Sequence, residues 1–508
     1  MTVIEWLKQA LTLCSHFTEM EEADKDQQFA KLKTDYNIFP SGEKIRIHDI
    51  LKSELENNDC IYVYSILLKY FKEEEFGKAV IGCIMKGNFD WFHGSMLELQ
   101  VVDCVCHEEK CLLHEKNARV WDSALGGLHF DYTPVEKRNK KRIVIITEHI
   151  LTTLHSPTLM VLSFAYVLQE ILGYEVLLFV CPSDGSISDQ LWQGAIVVHS
   201  IEQFNSAPIQ LEYKDVLFRG YQINISFNDL KQYHMMISLI HEWNPLFVFA
   251  MGAYNPVVDL IAKFTTLVAI PMSIKCPVSG GQILVRLGRE EEEMEVIYEN
   301  SAAQRGQIQL FMEDRVPVLT EPRGKKYERQ EFGVQEDKFL IAIVGNRLDK
   351  EIDEEFSQVM KHILDNNTEA AFAIIGNVNK MKKYFLDEQY KDRVFYLGYC
   401  YDLISVYSIM NFYMNPKRKG GGFSSQIALN AGIPIVTLPN CDVAYHAGDD
   451  FTVKNYQEME EVVGNCIKNS SYYEEMKRFA EEIGNNNTND KMVQYVERML
   501  EQINHYMN

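Results

Sequence analysis

Residues 415–436 read Asn415-Pro416-Lys417-Arg418-Lys419-Gly420-Gly421-Gly422-Phe423-Ser424-Ser425-Gln426, then a helix-forming segment at 427–431, then Gly432-Ile433-Pro434-Ile435-Val436. Three consecutive glycines let the backbone approach a ligand closely, the start of the following helix offers N–H groups without partners, and the cations supply positive charge. The combination suits a diphosphate. The bland alternative is a solvated basic surface loop, which asks nothing of the glycines.

Working outward, apolar runs on both sides of this loop share one design. Phe339-Leu340-Ile341-Ala342-Ile343-Val344, then 371–375, 394–397, 412–414 and 435–438, are each followed by glycine or asparagine and then by helix-forming sequence. An earlier series repeats the pattern: 143–146 and 176–180 flank a helix-length segment at 159–172. The runs 246–250 and 267–270 flank another, opened by Asn255-Pro256 as an N-cap and first-turn proline. Runs that are apolar on both faces predict parallel sheets covered by helices. The fold class is therefore α/β, with two doubly wound, Rossmann-like domains and a cleft at the carboxyl ends of their strands.

The chain divides into a mainly helical accessory region (1–138), a first Rossmann-like domain (139–325), a second (326–475) and a C-terminal helix packing back (476–508). Ile4, Leu7, Leu11, Tyr64, Leu67, Leu68 and Phe71 recur at helical spacing in the accessory region, which ends at Gly126-Gly127 and a basic linker at 136–142. The segment 320–333 reads as the connector between domains, and 472–506 as helical and charged.

Composition narrows the function. Fifty Lys and Arg against 72 Asp and Glu give a net charge of −22, a field that repels nucleic acid and anionic lipid. An anionic ligand must be captured by a local cation cluster. The first residues lack a signal-peptide pattern, no stretch reaches the length of a membrane span, and eleven cysteines show no disulfide framework. Together these predict a cytoplasmic protein with reduced thiols. Cys104, Cys106, His107, Cys111 and His114 lie close together, but their spacing matches no usual paired-ligand pattern, so buried thiols on a packed element are expected rather than a metal site. The run 289–293 reads as an acidic, solvated hairpin or loop, and Gly280-Gly281-Gln282 as a mobile loop near the cleft.

The loop at 415–426 and its Gly-hydrophobic-Pro-hydrophobic-Val sequel resemble the donor-binding loop of GT-B glycosyltransferases. Val344-Gly345-Asn346-Arg347-Leu348 is similar to the segment after the first strand of their donor domain, whose arginine contacts the donor diphosphate. The resemblance spans residue 142 onward. It implies that a nucleotide-sugar donor, UDP-GlcNAc or UDP-glucose, is held by Asn346, Arg347, Lys417, Arg418, Gly420, Gly421, Gly422, Phe423, Ser424 and Ser425. It also implies a protein or saccharide acceptor on the side of the first domain. There His149 and His155, in the loop after the first strand, are the candidate base or sugar-orienting groups.

Retaining members carry two glutamates in the donor loop, and alignment back from Gly432 puts Lys419 and Ile427 in their places. Isoleucine cannot accept the ribose hydrogen bonds. Ser424-Ser425 is closer to the O-GlcNAc-transferase-like branch. No Asp-x-Asp strand motif is present, so cofactor and metal independence is expected, with arginine, lysine and a helix N-terminus neutralising the leaving group. A reading of another class also follows from the missing glutamates. It is a catalytically silent GT-B-like subunit that binds glycans or chaperones a partner transferase, using the helical region for homo- or hetero-oligomeric contacts.

Overall fold

In the computed structural model, residues 1–507 are described except 56, 72, 87–90, 92–93, 96–97, 99–100, 102–104, 152–154, 182–206, 224–229, 253–254, 313, 318, 320–325, 401 and 419. Cys104, Lys419, and the first part of the expected connector lie outside the described residues.

The accessory region is helical, from Val3–Ser15 through Glu22–Ile38, Ser41–Glu54, Asn57–Phe71 and Glu74–Lys86 to His107–Ala124. Thr2 and Glu5 close a capping box at its start. Trp6, Tyr36, Tyr64, Phe71 and Phe76 are fully buried in one shared core. Gly126 and Gly127, at φ +85° and +70°, end the last helix.

The first α/β domain carries an eight-stranded sheet: β1 (Asn139–Thr147), β2 (Glu175–Val180), β3 (Ala207–Tyr213), β4 (Val216–Gln222), β5 (Pro245–Met251), β6 (Leu267–Ile270), β7 (Ile283–Arg286) and β8 (Ile308–Phe311). Their spatial order is β3-β4-β2-β1-β5-β6-β7-β8. All neighbours are parallel except β3 and β4, an antiparallel hairpin turning at Lys214 and Asp215, both with positive φ. At the centre Ile143 of β1 sits between Val176 of β2 and Phe247 of β5. Side chains on both faces of these strands are buried, as expected for a sheet covered on both sides.

The second domain has five parallel strands, β9 (Phe339–Val344), β10 (Ala370–Ile375), β11 (Val394–Gly398), β12 (Phe412–Met414) and β13 (Ile435–Val436), in the order β11-β10-β9-β12-β13. The order reverses beside β9, and that switch point aims the loops after β9 and β12 at the same crevice. Helices Tyr456–Lys468 and Ser470–Gly484 pack into this domain's core through Met459, Val463, Met476 and Ala480. The helix Asn489–Met507 crosses to the first domain, where Met492, Tyr495, Val496, Met499, Leu500 and Ile503 join the core of the larger sheet.

Three local expectations are corrected. The acidic run opens the helix Glu292–Gln304, whose first turn holds Glu292, Glu293 and Glu295, where carboxylates complement the helix dipole. Gly280-Gly281-Gln282 is tied down: Gly280 N–H donates to Asp259, Gly281 N–H to Ser279 Oγ at 3.0 Å, and Gln282 receives Leu267 N–H at 2.8 Å. Asn255 precedes only a six-residue 3-10 helix, Val258–Lys263, and its side chain also donates to Cys181 O at 2.8 Å.

Candidate functional site

Between the two sheets lies a cavity of about 940 Å³. Its second-domain wall includes Asn346 and Arg347 from the loop after β9, and Arg418, Gly421, Gly422, Phe423 and Ser424 from the glycine loop. His155 lines it from the first domain. Of the remaining expected site residues, His149, Lys417, Gly420 and Ser425 are not part of its wall.

The two arginines have opposite characters. Arg347 has a side chain 71% exposed, held among the described residues only at Nε, 3.2 Å from Glu351 Oε1. Its terminal nitrogens reach towards Gly420, where a Cβ would come within 3.1 Å of Nη2. Arg418 is turned inward and its side chain is only 5% exposed. It donates to Asn415 Oδ1 and Glu351 Oε2 at 2.8 Å, to Val344 O at 2.8 Å and to Tyr413 Oη at 2.9 Å. Four acceptors from three segments thereby fix the loops after β9 and β12 to one another. Glycine is required around it: a Cβ at Gly345 would meet Arg418 Nη1 at 2.5 Å. At Gly421, where φ is +100°, it would meet Nη2 at 2.6 Å.

The helix Gly422–Asn430 begins at this loop. Its first intrahelical bond is Ser425 N–H to Gly421 O at 3.1 Å, so the amides of Gly422, Phe423 and Ser424 precede the ladder and face the cavity end. The serines serve the backbone: Ser425, fully buried, donates to Gly422 O at 2.7 Å, and Ser424 donates to Gly421 O at 2.8 Å beside Tyr413 Oη at 3.1 Å. Lys417 is exposed, with its backbone N–H on Tyr456 Oη. Ile427, in the place of the second glutamate, is 4% exposed and lines the cavity.

Opposite, His155 is the N-cap residue of the helix Ser156–Tyr166. Its Nδ1 is 3.1 Å from Thr158 Oγ1, which already accepts Leu151 N–H at 2.9 Å. The Thr158 hydroxyl can donate to Nδ1 or accept from it, so this contact holds the ring in place in either tautomer. Burial, with His149 adjacent at 4.9 Å between ring centroids, lowers the His155 pKa to about 4. At neutral pH it is uncharged.

Sequence reasoning missed Glu351, whose carboxylate joins both arginines, and Asp442, Tyr445 and His446, which line the cavity from the helix Asp442–Ala447. The spacing of Arg347 and Glu351, four apart, was the available signal for the first. In the cysteine and histidine cluster, the described residues pair with protein groups. His107 Nε2 lies 3.4 Å from Cys111 Sγ, while His114 is sandwiched by Glu98 at Nδ1 and by Asp259, 2.7 Å away, at Nε2. Burial alone would lower the pKa of His114; the two carboxylates override it and raise it well above the ordinary value. Asp259 belongs to the first α/β domain, so this imidazolium docks the accessory region onto it.

Residues 324–497 match the family model described as glycosyl transferases group 1. No curated protein matches the chain. Among solved structures, a mutant of the O-GlcNAc transferase of Thermobaculum terrenum is similar over 100% of this chain and 98% of its own, at 11% identity and a TM-score of 0.55. An alpha,alpha-trehalose-phosphate synthase (UDP-forming) from Burkholderia vietnamiensis is similar over 73% of this chain and 98% of its own, at 10% identity and a TM-score of 0.50. The fold is thus GT-B with a helical N-terminal region, and the first of these likenesses extends over that region too. Among the described residues no helix is long and apolar enough to cross a membrane.

Proposed function

We propose that this chain, a glycosyltransferase with a group 1 glycosyl transferase domain on a GT-B framework, moves a sugar from a UDP-linked donor, UDP-GlcNAc or UDP-glucose, to a protein or saccharide acceptor without a metal ion. The observation that carries this reading is the convergence, in one interdomain cavity, of the exposed Arg347 guanidinium and the N-terminus of Gly422–Asn430, with neutral His155 opposite. A diphosphate between them takes charge-assisted hydrogen bonds from Arg347 and from the amides of residues 422–424, which stabilise the leaving group as its bond to the sugar breaks. Arg418 acts one layer behind, holding the loops that present these donors.

His155, uncharged at neutral pH with a pKa of about 4, is a weak base there, so its role is to hydrogen-bond a sugar hydroxyl and orient it. Asp442, beside Gly422, supplies a carboxylate for donor hydroxyls in place of the one that Ile427 lacks. Closure of the cavity excludes water and favours transfer over hydrolysis. This reading takes the reaction to be cytoplasmic.

The test is a panel of nucleotide sugars with protein and saccharide acceptors, read as released nucleotide, alongside thermal melting with UDP. Release with a UDP-sugar and a raised Tm are expected, and turnover should survive EDTA. Loss in EDTA with rescue by Mn²⁺ would overturn the metal-independent reading. A Tm unmoved by millimolar UDP would favour the silent subunit instead.

A further inference from the structure

Behind the donor loop is a second cavity, of about 290 Å³, walled by both passages of the chain between the domains. Asp314, Arg315 and Pro317 come from the first passage, and Asn486, Asn487 and Lys491 from the second. The wall is cationic in balance. Arg498 pairs with Asp314, which leaves Arg315 and Lys491 in excess. Arg315 is half-buried, and among the described residues it makes no hydrogen bond or ion pair; the exposed Asp449 and Asp450 act on it only through space.

Two residues of this wall also carry a buried polar atom without a partner among the described residues, the hydroxyl of Tyr495, itself 1% exposed, and Nδ1 of His446. Buried polar atoms are seldom left without a partner, and here the two residues that carry them line the same cavity as the Arg315 guanidinium and the Lys491 ammonium. A cavity of this size holds a phosphate or a sugar monophosphate.

We propose that this interdomain cavity is a binding site for a phosphoryl dianion, inorganic phosphate or a sugar monophosphate, distinct from the donor cleft. Because the ligand contacts both interdomain passages, its binding fixes the angle between the domains. His446 and Gln426 border both cavities, and a Cβ at Gly422 would come within 2.6 Å of the His446 ring, so the two sites share a wall at the donor loop. Occupancy therefore alters donor affinity, and the donor alters phosphate affinity by the same factor.

Calorimetric titration of the full chain with inorganic phosphate, and separately with a hexose monophosphate, tests this. Binding is expected to persist in Arg347→Ala, which disables the donor cleft, and to weaken at least tenfold in Arg315→Gln and in Lys491→Gln. Lys491 is exposed, so its variant tests the site without burdening the fold. Both variants should bind UDP within twofold of the parent when phosphate is absent, and should lose the effect of phosphate on UDP affinity. Binding of the hexose phosphate alone would identify an ester as the ligand; binding of both would identify the phosphoryl group as sufficient. Undiminished phosphate affinity in both variants, or its loss in Arg347→Ala alone, would overturn the proposal.

Discussion

The two walls of the main cavity are built in different ways. The second-domain wall is local: the loops after β9 and β12 lie on adjacent strands and are locked by one buried guanidinium, Arg418. The first-domain side is assembled at long range, since its sheet is completed by the helix Asn489–Met507 and its accessory region is docked by His114 on Asp259. A wall made from neighbouring loops can be broken by one interior side chain. A wall made from distant segments fails at its joints instead.

The largest effect expected of that contrast is in Arg418→Ala. It leaves Glu351 with only the exposed Arg347 as a cation partner among the described residues and removes four hydrogen bonds, so stability should fall by about 3–5 kcal/mol and UDP binding should disappear. Denaturant unfolding and a UDP titration measure both. Retained UDP affinity in a folded variant would show that the second-domain wall does not depend on its buried cation.

At the joint, His114→Ala leaves Glu98 and Asp259 facing one another without the imidazolium, at a cost of about 3 kcal/mol. Hydrogen exchange should rise in His107–Ala124 while the glycine loop stays protected. The pH sign follows from the raised pKa of His114. Its contribution is complete below about pH 6.5, the ordinary value, and is lost as pH rises through the folded-state value. A joint that tightens on raising pH would contradict the ion sandwich.

Arg347→Ala separates binding from folding. UDP affinity should drop roughly ten- to a hundredfold, about 1.4–2.8 kcal/mol, with Tm unchanged because the side chain is mostly exposed. A melting temperature that falls with the affinity would mean that the two arginines are not so different. The smallest effect is expected of Lys417→Ala, less than about 0.5 kcal/mol on UDP binding, since Lys417 is exposed and off the cavity wall.

The strands of the second domain were legible because each is a short apolar run closed by glycine or asparagine, and β9, β10 and β12 fall where their runs do. In the first domain, the runs at β1, β2, β5 and β6 were equally plain. The hairpin β3–β4 was not, because its polar alternation, with Gln210, Glu212, Arg219 and Gln222, carries no continuous apolar signal. The direction of Arg418 was also hidden. Between Lys417 and Lys419 it reads as one more cation offered to the diphosphate, and only the fold shows that Val344 O and Glu351 lie within its reach. His114 was noticed for its cysteine neighbours, yet its decisive partner is Asp259, 145 residues away. Pairings of that span leave no trace in local spacing.

The helix Asn489–Met507 has a consequence for how the molecule is made. It fills the core of the larger sheet, but a ribosome delivers it only after the entire second domain has emerged. During synthesis the second domain can therefore reach its native state first, while the earlier one waits with an unfilled apolar groove that invites chaperones or self-association. The order of maturation of the two halves is then the reverse of their order in the gene.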